Sequence, residues 1–224
     1  MVSYKISPSS LSLFKECKLC FWLEKNKYIK RPEGKFSSLP YGIDKVIKMH
    51  FNKHLHQNTK PKELSMLDED VKLFSNKEVL NKCMTYIEWT DYEGNVLNGK
   101  IDYLLEDKDG RAIVIDFKTR GYEIKEQNDN DIQQYKLQLE LYALLLEKNN
   151  IKTSNTGYLL YFYPKEIQED GSFVFGIKEK KLWLNTKNAE KVFYEAIETL
   201  KGDMPTANPE CEYCRWVEKR RSLI

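Results

Sequence analysis

The chain has 224 residues, of which 36 are Lys or Arg and 34 are Asp or Glu, so its formal net charge is only +2. This length suits one domain over residues 1–224 with a sizeable core, and the near-neutral charge excludes a strong overall field for nucleic acid. No apolar run approaches the roughly 18 residues of a membrane span, and no signal-peptide pattern opens the chain, so we expect a cytoplasmic protein without a membrane partner.

Hydrophobic periodicity predicts helices at the start of the chain and strands in its middle. A first helix is expected from Ser7 to about Asn26 and a second from about Gly42 to His54, followed by a loop to Asp70 and a weak helix. A three-strand meander follows, with strands at residues 83–92, 96–106 and 111–119.

The second half of the chain predicts a long helix, two strands and a final helix, at residues 129–149, 156–164, 172–184 and 186–202. Helices before a meander, and a helix on either side of a strand pair, are typical of a sheet covered by helices. The sequence therefore predicts an α/β fold with a central mixed β-sheet flanked by helices.

Two acidic residues and a lysine stand in the middle of the meander, in "GKIDYLLEDKDGRAIVIDFKTR". Asp116 and Lys118 are two residues apart in an apolar strand, so they share a face, and a buried carboxylate beside a buried ammonium is costly unless it is paired or used. The "DKDG" turn folds the preceding strand back, so Asp102 can face the same spot. Two carboxylates suit Mg²⁺ or Mn²⁺, and Lys118 could then orient a water and hold developing negative charge.

Two polar residues follow on the long helix. Gln138 and Tyr142 are four residues apart and share a helix face, opposite the apolar side that faces the core. An amide and a phenol in this position suit contacts to a sugar–phosphate backbone or to a stacked base, so both are candidate DNA-binding residues.

Four of the five cysteines form two C-x2-C pairs at opposite ends of the chain, Cys17 with Cys20 and Cys211 with Cys214. In a reducing compartment such pairs indicate a metal rather than disulfides. Four thiolates fit either a structural zinc or a 4Fe–4S cluster, and either would join the N- and C-terminal regions. The fifth, Cys83, is expected to be a small buried apolar residue.

Five segments together resemble the PD-(D/E)XK nuclease superfamily, in particular its RecB-like branch with the AddB nuclease domains and the CRISPR-associated RecB-like exonucleases: "SPSSLSLFKEC", "GKID", "IDFKT", "QLELY" and "CEYC". The resemblance implies a restriction-endonuclease-like core and an iron–sulfur cluster at the four cysteines. The family more often has one early and three late cysteines, whereas this chain has two and two. As site residues it implies Asp102, Asp116 and the Phe117 carbonyl for the metal and Lys118 for catalysis.

The resemblance also implies a metal ligand on the second helix. Many relatives have a His there, four residues after a Gly, but the position after Gly42 is Val46. His50, one turn further on, is the candidate ligand, with Asp44 as the alternative. His50 and His54 are also four residues apart on one helix face, which leaves a transition-metal site as a third, separate hypothesis.

The sequence as a whole predicts a Mg²⁺- or Mn²⁺-dependent deoxyribonuclease, expected to act as an exonuclease on single-stranded or end-containing DNA. Its pathway would be repair and recombination, with a helicase partner, or CRISPR-type DNA processing, with a Cas protein partner. Any motor would be another protein, because the chain has no G-x-x-x-x-G-K-[ST] loop. The alternative is a catalytically inactive DNA-binding or assembly subunit with a structural metal centre.

Overall fold

The helices follow the expected order, with one addition at the C-terminal end. The structure is a computed structural model that describes residues 3–32, 34, 38–67, 71–124 and 129–223, the side chains of 129–131 excepted. Within that part the helices are α1 (Pro8–Glu16), α2 (Lys18–Lys27), α3 (Ser38–Gln57), α4 (Lys77–Thr85), α5 (Asp129–Lys148), α6 (Thr186–Lys201) and α7 (Glu212–Arg221), with a 3-10 helix at Lys62–Met66.

Eight described strands form two sheets. They are β1 (Lys5–Ile6), β2 (Lys72–Leu73), β3 (Ile87–Thr90), β4 (Val96–Gly99), β5 (Tyr103–Glu106), β6 (Ala112–Thr119), β7 (Thr153–Ile167) and β8 (Phe173–Trp183). The smaller sheet has the order β1-β4-β3 and the larger one β2-β5-β6-β7-β8. In the larger sheet β6 pairs antiparallel with β5, its hairpin partner, and parallel with β7. The parallel pairing is possible because α5 carries the chain back to the end of the sheet where β6 begins. The predicted mixed α/β fold is confirmed.

The predicted strand over residues 96–106 is wrong in one respect, because it is two strands that belong to different sheets. β4 ends at Gly99 and β5 begins at Tyr103. At Gly99 the chain passes so close to α5 that an added Cβ would lie 3.1 Å from the ring of Tyr142. The chain then changes sheets over residues 100–102, which brings Asp102 to the start of β5.

Two helix boundaries also differ from the sequence prediction. Residues 83–85, predicted as strand, are the last turn of α4, which begins where the Asn76 side chain accepts a hydrogen bond from the Val79 amide. The helix predicted from Ser7 to Asn26 is broken at Cys17, whose backbone is extended. Cys83 is completely buried, as expected, and burial raises its pKa to about 11.

The central strand and helix α5 carry most of the core around the site. Ile113, Val114 and Ile115 of β6 are at most 2% exposed. Helix α5 packs against the strands β6 and β7 and against the helices α1 and α6. These contacts hold its polar residues in one position relative to the sheet. No helix in the described part of the chain has both the length and the apolar character needed to cross a membrane.

Candidate active site and cysteine centre

The β5–β6 hairpin brings Asp102 and Asp116 side by side. Tyr103, the first residue of β5, pairs with Ile115, so the residue before it lies next to Asp116. The amide of Phe117 donates a hydrogen bond of 3.0 Å to Asp102 Oδ2. Two carboxylates from neighbouring strands therefore meet at one end of the hairpin, with the Phe117 backbone between them.

Asp116 is the most deeply buried acid of this group, with 2% of its surface exposed. Burial raises its pKa, the nearby Lys118 ammonium opposes that effect, and the charge of Asp102 adds to it. Lys118 Nζ lies 2.5 Å from Asp116 Oδ2, yet this oxygen receives no hydrogen bond of good geometry. This buried carboxylate oxygen is thus held by an ion pair with Lys118 and by no well-aligned hydrogen bond.

Gln138 links the lysine, the aspartate and a tyrosine. Its Oε1 accepts a hydrogen bond of 2.9 Å from Lys118 Nζ, and its Nε2 donates to Asp116 Oδ1 at 3.1 Å. The same Nε2 lies 3.0 Å from the Tyr142 hydroxyl oxygen, and the Lys118 ammonium also lies 4.3 Å from the centre of the Tyr135 ring. Tyr142 is 7% exposed, and burial raises its pKa. The structure brings Gln138 and Tyr142 into the network of Asp116, and their contact with DNA stays a prediction.

Helix α3 presents a lysine to these carboxylates, which sequence reasoning missed. Lys48 Nζ lies 2.8 Å from Asp102 Oδ1 and 2.9 Å from Asp44 Oδ2, one turn earlier on the same helix. Burial lowers the pKa of Lys48, but the charge of Asp102 and the hydrogen bonds to both aspartates outweigh it and raise the pKa. The spacing of four between Asp44 and Lys48 was the available signal, but it also occurs on ordinary helix surfaces.

The structure places His50 on another side of α3. Its Nε2 lies 3.0 Å from Glu63 Oε1, and its ring meets that of His54 at a centroid distance of 4.7 Å. Among the described residues no contact links His50 with Asp102 or Asp116. Val46 is 65% exposed. Of the two candidates on this helix, Asp44 is the one joined to the cluster, through Lys48.

The donor set at this end of the hairpin suits a hard divalent cation. Asp102 and Asp116 offer carboxylate oxygens on either side of the Phe117 backbone, and Asp44 lies beyond Lys48, which bridges it to Asp102. Mg²⁺ and Mn²⁺ prefer such oxygen ligands, whereas soft metals prefer sulfur or imidazole. Asp102 and Asp116 therefore fit a Mg²⁺ or Mn²⁺ ion.

The four paired cysteines come together at a second centre. The sulfur atoms of Cys17, Cys20, Cys211 and Cys214 all lie within 4.8 Å of one another and could hold a metal ion. Cys17 lies at the break between α1 and α2, and Cys211 directly precedes α7, so the centre joins the N- and C-terminal regions as predicted. Sequence reasoning missed α7 because its residues are mostly charged and its apolar face is short.

Arg31 lies against this cysteine centre. Its Nη2 donates to Cys211 Sγ at 3.2 Å, and its Nη1 lies 2.6 Å from Glu16 Oε1. The guanidinium also stacks on the Tyr213 ring, 4.5 Å from its centre. A charged donor is therefore held in place beside the sulfur atoms by two further contacts.

A cavity of about 580 Å³ connects the surroundings of the two centres. Gln138 and Tyr142 line it at one end, and Glu16 and Arg31 also belong to its wall. The rest of its lining comes from the start of α1, the end of β4 and the first turns of α5, and its polar residues include Ser7, Ser9, Ser12, Asn98, Lys100 and Gln134.

Comparison with known proteins gives a family for the chain. A search of curated proteins finds no match. The solved structure described as "Crystal structure of SSO0001" is similar over 97% of this chain and 86% of that chain, with 16% sequence identity and a TM-score of 0.43, which is too distant for an argument about function. The model of the PD-(D/E)XK nuclease superfamily matches residues 43–218, which contain Asp102, Asp116 and Lys118. The chain therefore belongs to the PD-(D/E)XK nuclease superfamily.

Proposed function

We propose that this nuclease is a Mg²⁺- or Mn²⁺-dependent deoxyribonuclease of the RecB-like branch, acting as an exonuclease on single-stranded DNA ends. The observation that carries the proposal is the pair Asp102 and Asp116, joined through the Phe117 amide, with Lys118 beside the buried carboxylate. A binding protein has no need for a buried carboxylate, a second partly buried one and an ammonium at one point, because each costs desolvation energy.

Asp102, Asp116 and the Phe117 carbonyl are the proposed metal ligands, and Asp44 is the proposed contribution of α3. A divalent ion supplies charge neutralisation at the phosphoryl group and lowers the pKa of water bound to it. Asp116 Oδ2 accepts no well-aligned hydrogen bond, so a metal bound there would compete only with the Lys118 ammonium. His50 stays a weaker alternative, because its Nε2 lies beside Glu63 and no contact among the described residues links it with Asp102 or Asp116.

Lys118 is the proposed catalytic lysine, and Gln138 is proposed to position it. The hydrogen bond from Lys118 Nζ to Gln138 Oε1 holds the ammonium beside Asp116. From there it can orient the attacking water and stabilise negative charge as that charge develops on the phosphate. The second hydrogen bond of Gln138, to Asp116, keeps the amide from rotating.

Lys48 is proposed to be the cation that balances the aspartates before a metal binds. Its ammonium lies between Asp44 and Asp102, so a divalent ion that used both carboxylates would displace it. Once displaced, the positive side chain would remain close to the phosphate of a bound strand. Lys48 therefore competes with the metal for the same oxygen atoms.

The cavity beside the site is the proposed path of the DNA strand. Serine hydroxyls and Lys100 along its wall suit contacts to a sugar–phosphate backbone, and Tyr135 and Tyr86 offer ring faces or edges to bases. A helicase or a Cas protein is the proposed partner that delivers the strand, in repair or in CRISPR-type processing respectively.

The test is cleavage of end-labelled DNA. Linear single-stranded, linear double-stranded and circular single-stranded substrates are incubated with Mg²⁺, Mn²⁺ or excess chelator. We expect metal-dependent loss of the linear single strand, no cleavage of the circle and no cleavage by Asp116→Asn. Lys108→Met, an exposed lysine in the turn of the same hairpin, is the matched control and should cleave normally. Cleavage that persists in chelator, or in Asp116→Asn, contradicts the proposal.

A further inference from the structure

We infer that the four-cysteine centre holds a single zinc ion, with Arg31 as its charged partner, and not the iron–sulfur cluster that the RecB-like resemblance implies. The first support is the distance between sulfur atoms. Cys17 and Cys214 Sγ are 3.6 Å apart, and Cys20 and Cys211 Sγ are 3.8 Å apart. A tetrahedral ion with Zn–S bonds of about 2.3 Å places its sulfur ligands ~3.8 Å from one another.

A 4Fe–4S cluster does not fit these distances. Its irons and inorganic sulfides would have to lie between the four thiolates, which pushes the cysteine sulfur atoms well apart. Here all four lie within 4.8 Å of one another, which leaves room for one ion and not for a cluster of eight atoms. The separations also exclude disulfides, whose S–S bond is about 2.05 Å, and all four cysteines are free.

Both pairs begin at a helix N-terminus, but their backbones differ. Cys17 has a φ of −157° and its sulfur accepts from the Cys20 amide, whereas Cys211 has a φ of −80° and makes no cap hydrogen bond. Cys17 is the N-cap of α2 and Cys211 is the N-cap of α7, so Cys20 and Cys214 stand in the first turns of two helices. The amide of Cys20 lies 3.5 Å from Cys17 Sγ. Helix N-termini favour negative charge, because their first amide groups have no partner within the helix. Two such ends that face one point are suited to four thiolates around one divalent ion.

Arg31 supplies the opposite charge that this arrangement needs. Zinc with four thiolates has a net charge of −2, and the centre is largely buried, so part of this charge must be balanced nearby. Arg31 donates to Cys211 Sγ and is held by Glu16 and Tyr213. Partners of this kind that hydrogen-bond to metal ligands commonly change metal affinity by 10- to 100-fold.

The first experiment is metal analysis of the full chain after anaerobic purification, with iron, sulfide and zinc all supplied during expression. We expect about one zinc per chain, a colourless protein and no labile sulfide. About four irons and four sulfides per chain with brown absorption would overturn the inference, and so would a folded protein that retains neither metal. This result does not depend on nuclease activity, so it stands apart from the proposed function.

The second experiment measures zinc loss to a chelating dye, which keeps the inference testable if cysteine variants fail to fold. Arg31→Gln should lose zinc at least about tenfold faster than the wild type, and Arg31→Lys should lie between them, since a lysine keeps the charge but not the guanidinium geometry. Lys30→Gln, which removes the neighbouring exposed charge, should leave the rate unchanged. Equal rates in Arg31→Gln and Lys30→Gln would remove Arg31 from the centre.

Discussion

Replacing Lys48 by methionine should make the candidate active site bind its metal more tightly. In the metal-free protein the Lys48 ammonium makes ion pairs of 2.9 Å and 2.8 Å with Asp44 and Asp102. A divalent ion that uses these carboxylates must first break both pairs. Methionine has a similar length and no charge, so in Lys48→Met the carboxylates are free for the metal.

The burial of the three side chains sets the size of this effect. Lys48 and Asp44 are about one-third exposed and Asp102 is 17% exposed, so solvent screens each ion pair considerably. Pairs of this kind contribute up to about 1 kcal/mol each, and solvent screening keeps the sum of the two below twice that limit. A net gain of ~1.4 kcal/mol corresponds to about tenfold tighter metal binding.

Calorimetric titration of the metal-free protein with Mn²⁺ measures this difference directly. Lys45→Met is the matched control, because Lys45 is on the same helix and exposed, and its affinity should equal that of the wild type. Without metal, Lys48→Met should melt at a lower temperature, since Asp44 and Asp102 lose their cation. Unchanged or weaker Mn²⁺ binding in Lys48→Met would refute the reasoning and show that the metal does not use these oxygens.

Three further substitutions test the same network and one distant hydrogen-bonded carboxylate, Glu106. Asp116→Asn should weaken Mn²⁺ binding in calorimetry. The melting temperature of the metal-free protein should stay equal or rise, because a buried charge is removed. A clearly lower melting temperature would argue for a structural role of Asp116. Gln138→Leu should lower kcat by roughly 10- to 100-fold through a misplaced Lys118. An unchanged kcat with weaker DNA binding in anisotropy would leave Gln138 a role in DNA contact and none in positioning Lys118. Glu106→Gln should destabilise the protein at neutral pH but not in acid, as measured by urea unfolding at several pH values. Hydrogen bonds from Ser75 hold the pKa of Glu106 below its ordinary value in the folded protein. The stability that Glu106 contributes is therefore present above its unfolded-state pKa and is lost as the pH falls through its folded-state pKa. An equal effect of Glu106→Gln at all pH values would contradict this.

The local part of the candidate site could be predicted from the sequence because a hairpin is specified by neighbouring residues. The "DKDG" turn fixes which strand residues lie opposite one another, and the period of two in β6 puts Asp116 and Lys118 on one face. The period of 3.6 in α5 in the same way groups Gln138 with Tyr142. These groupings are observed in the structure, and the chemical roles assigned to the residues remain proposals.

Some local predictions were wrong where packing overrides the preference of the residues. Residues 96–106 have the composition of one strand, yet the close contact of Gly99 with α5 ends β4 and the chain crosses to another sheet. Residues 83–85 have strand character, but the N-cap at Asn76 and the buried side of α4 keep them helical. Neither the contact with α5 nor the competition between helix and strand can be read from a short window of sequence.

The sequence by itself determined which residue types were available: two aspartates and a lysine in one hairpin, two C-x2-C pairs and a capped order of helices and strands. Only the tertiary structure decided that α3 presents Lys48 and Asp44, rather than His50, to Asp102. It also decided that Arg31 reaches Cys211, 180 residues away, and how closely the four sulfur atoms approach one another. The physical reason is that turns and periodicities depend on a few consecutive residues, whereas the rotation of a helix against a sheet depends on how all the buried side chains pack together.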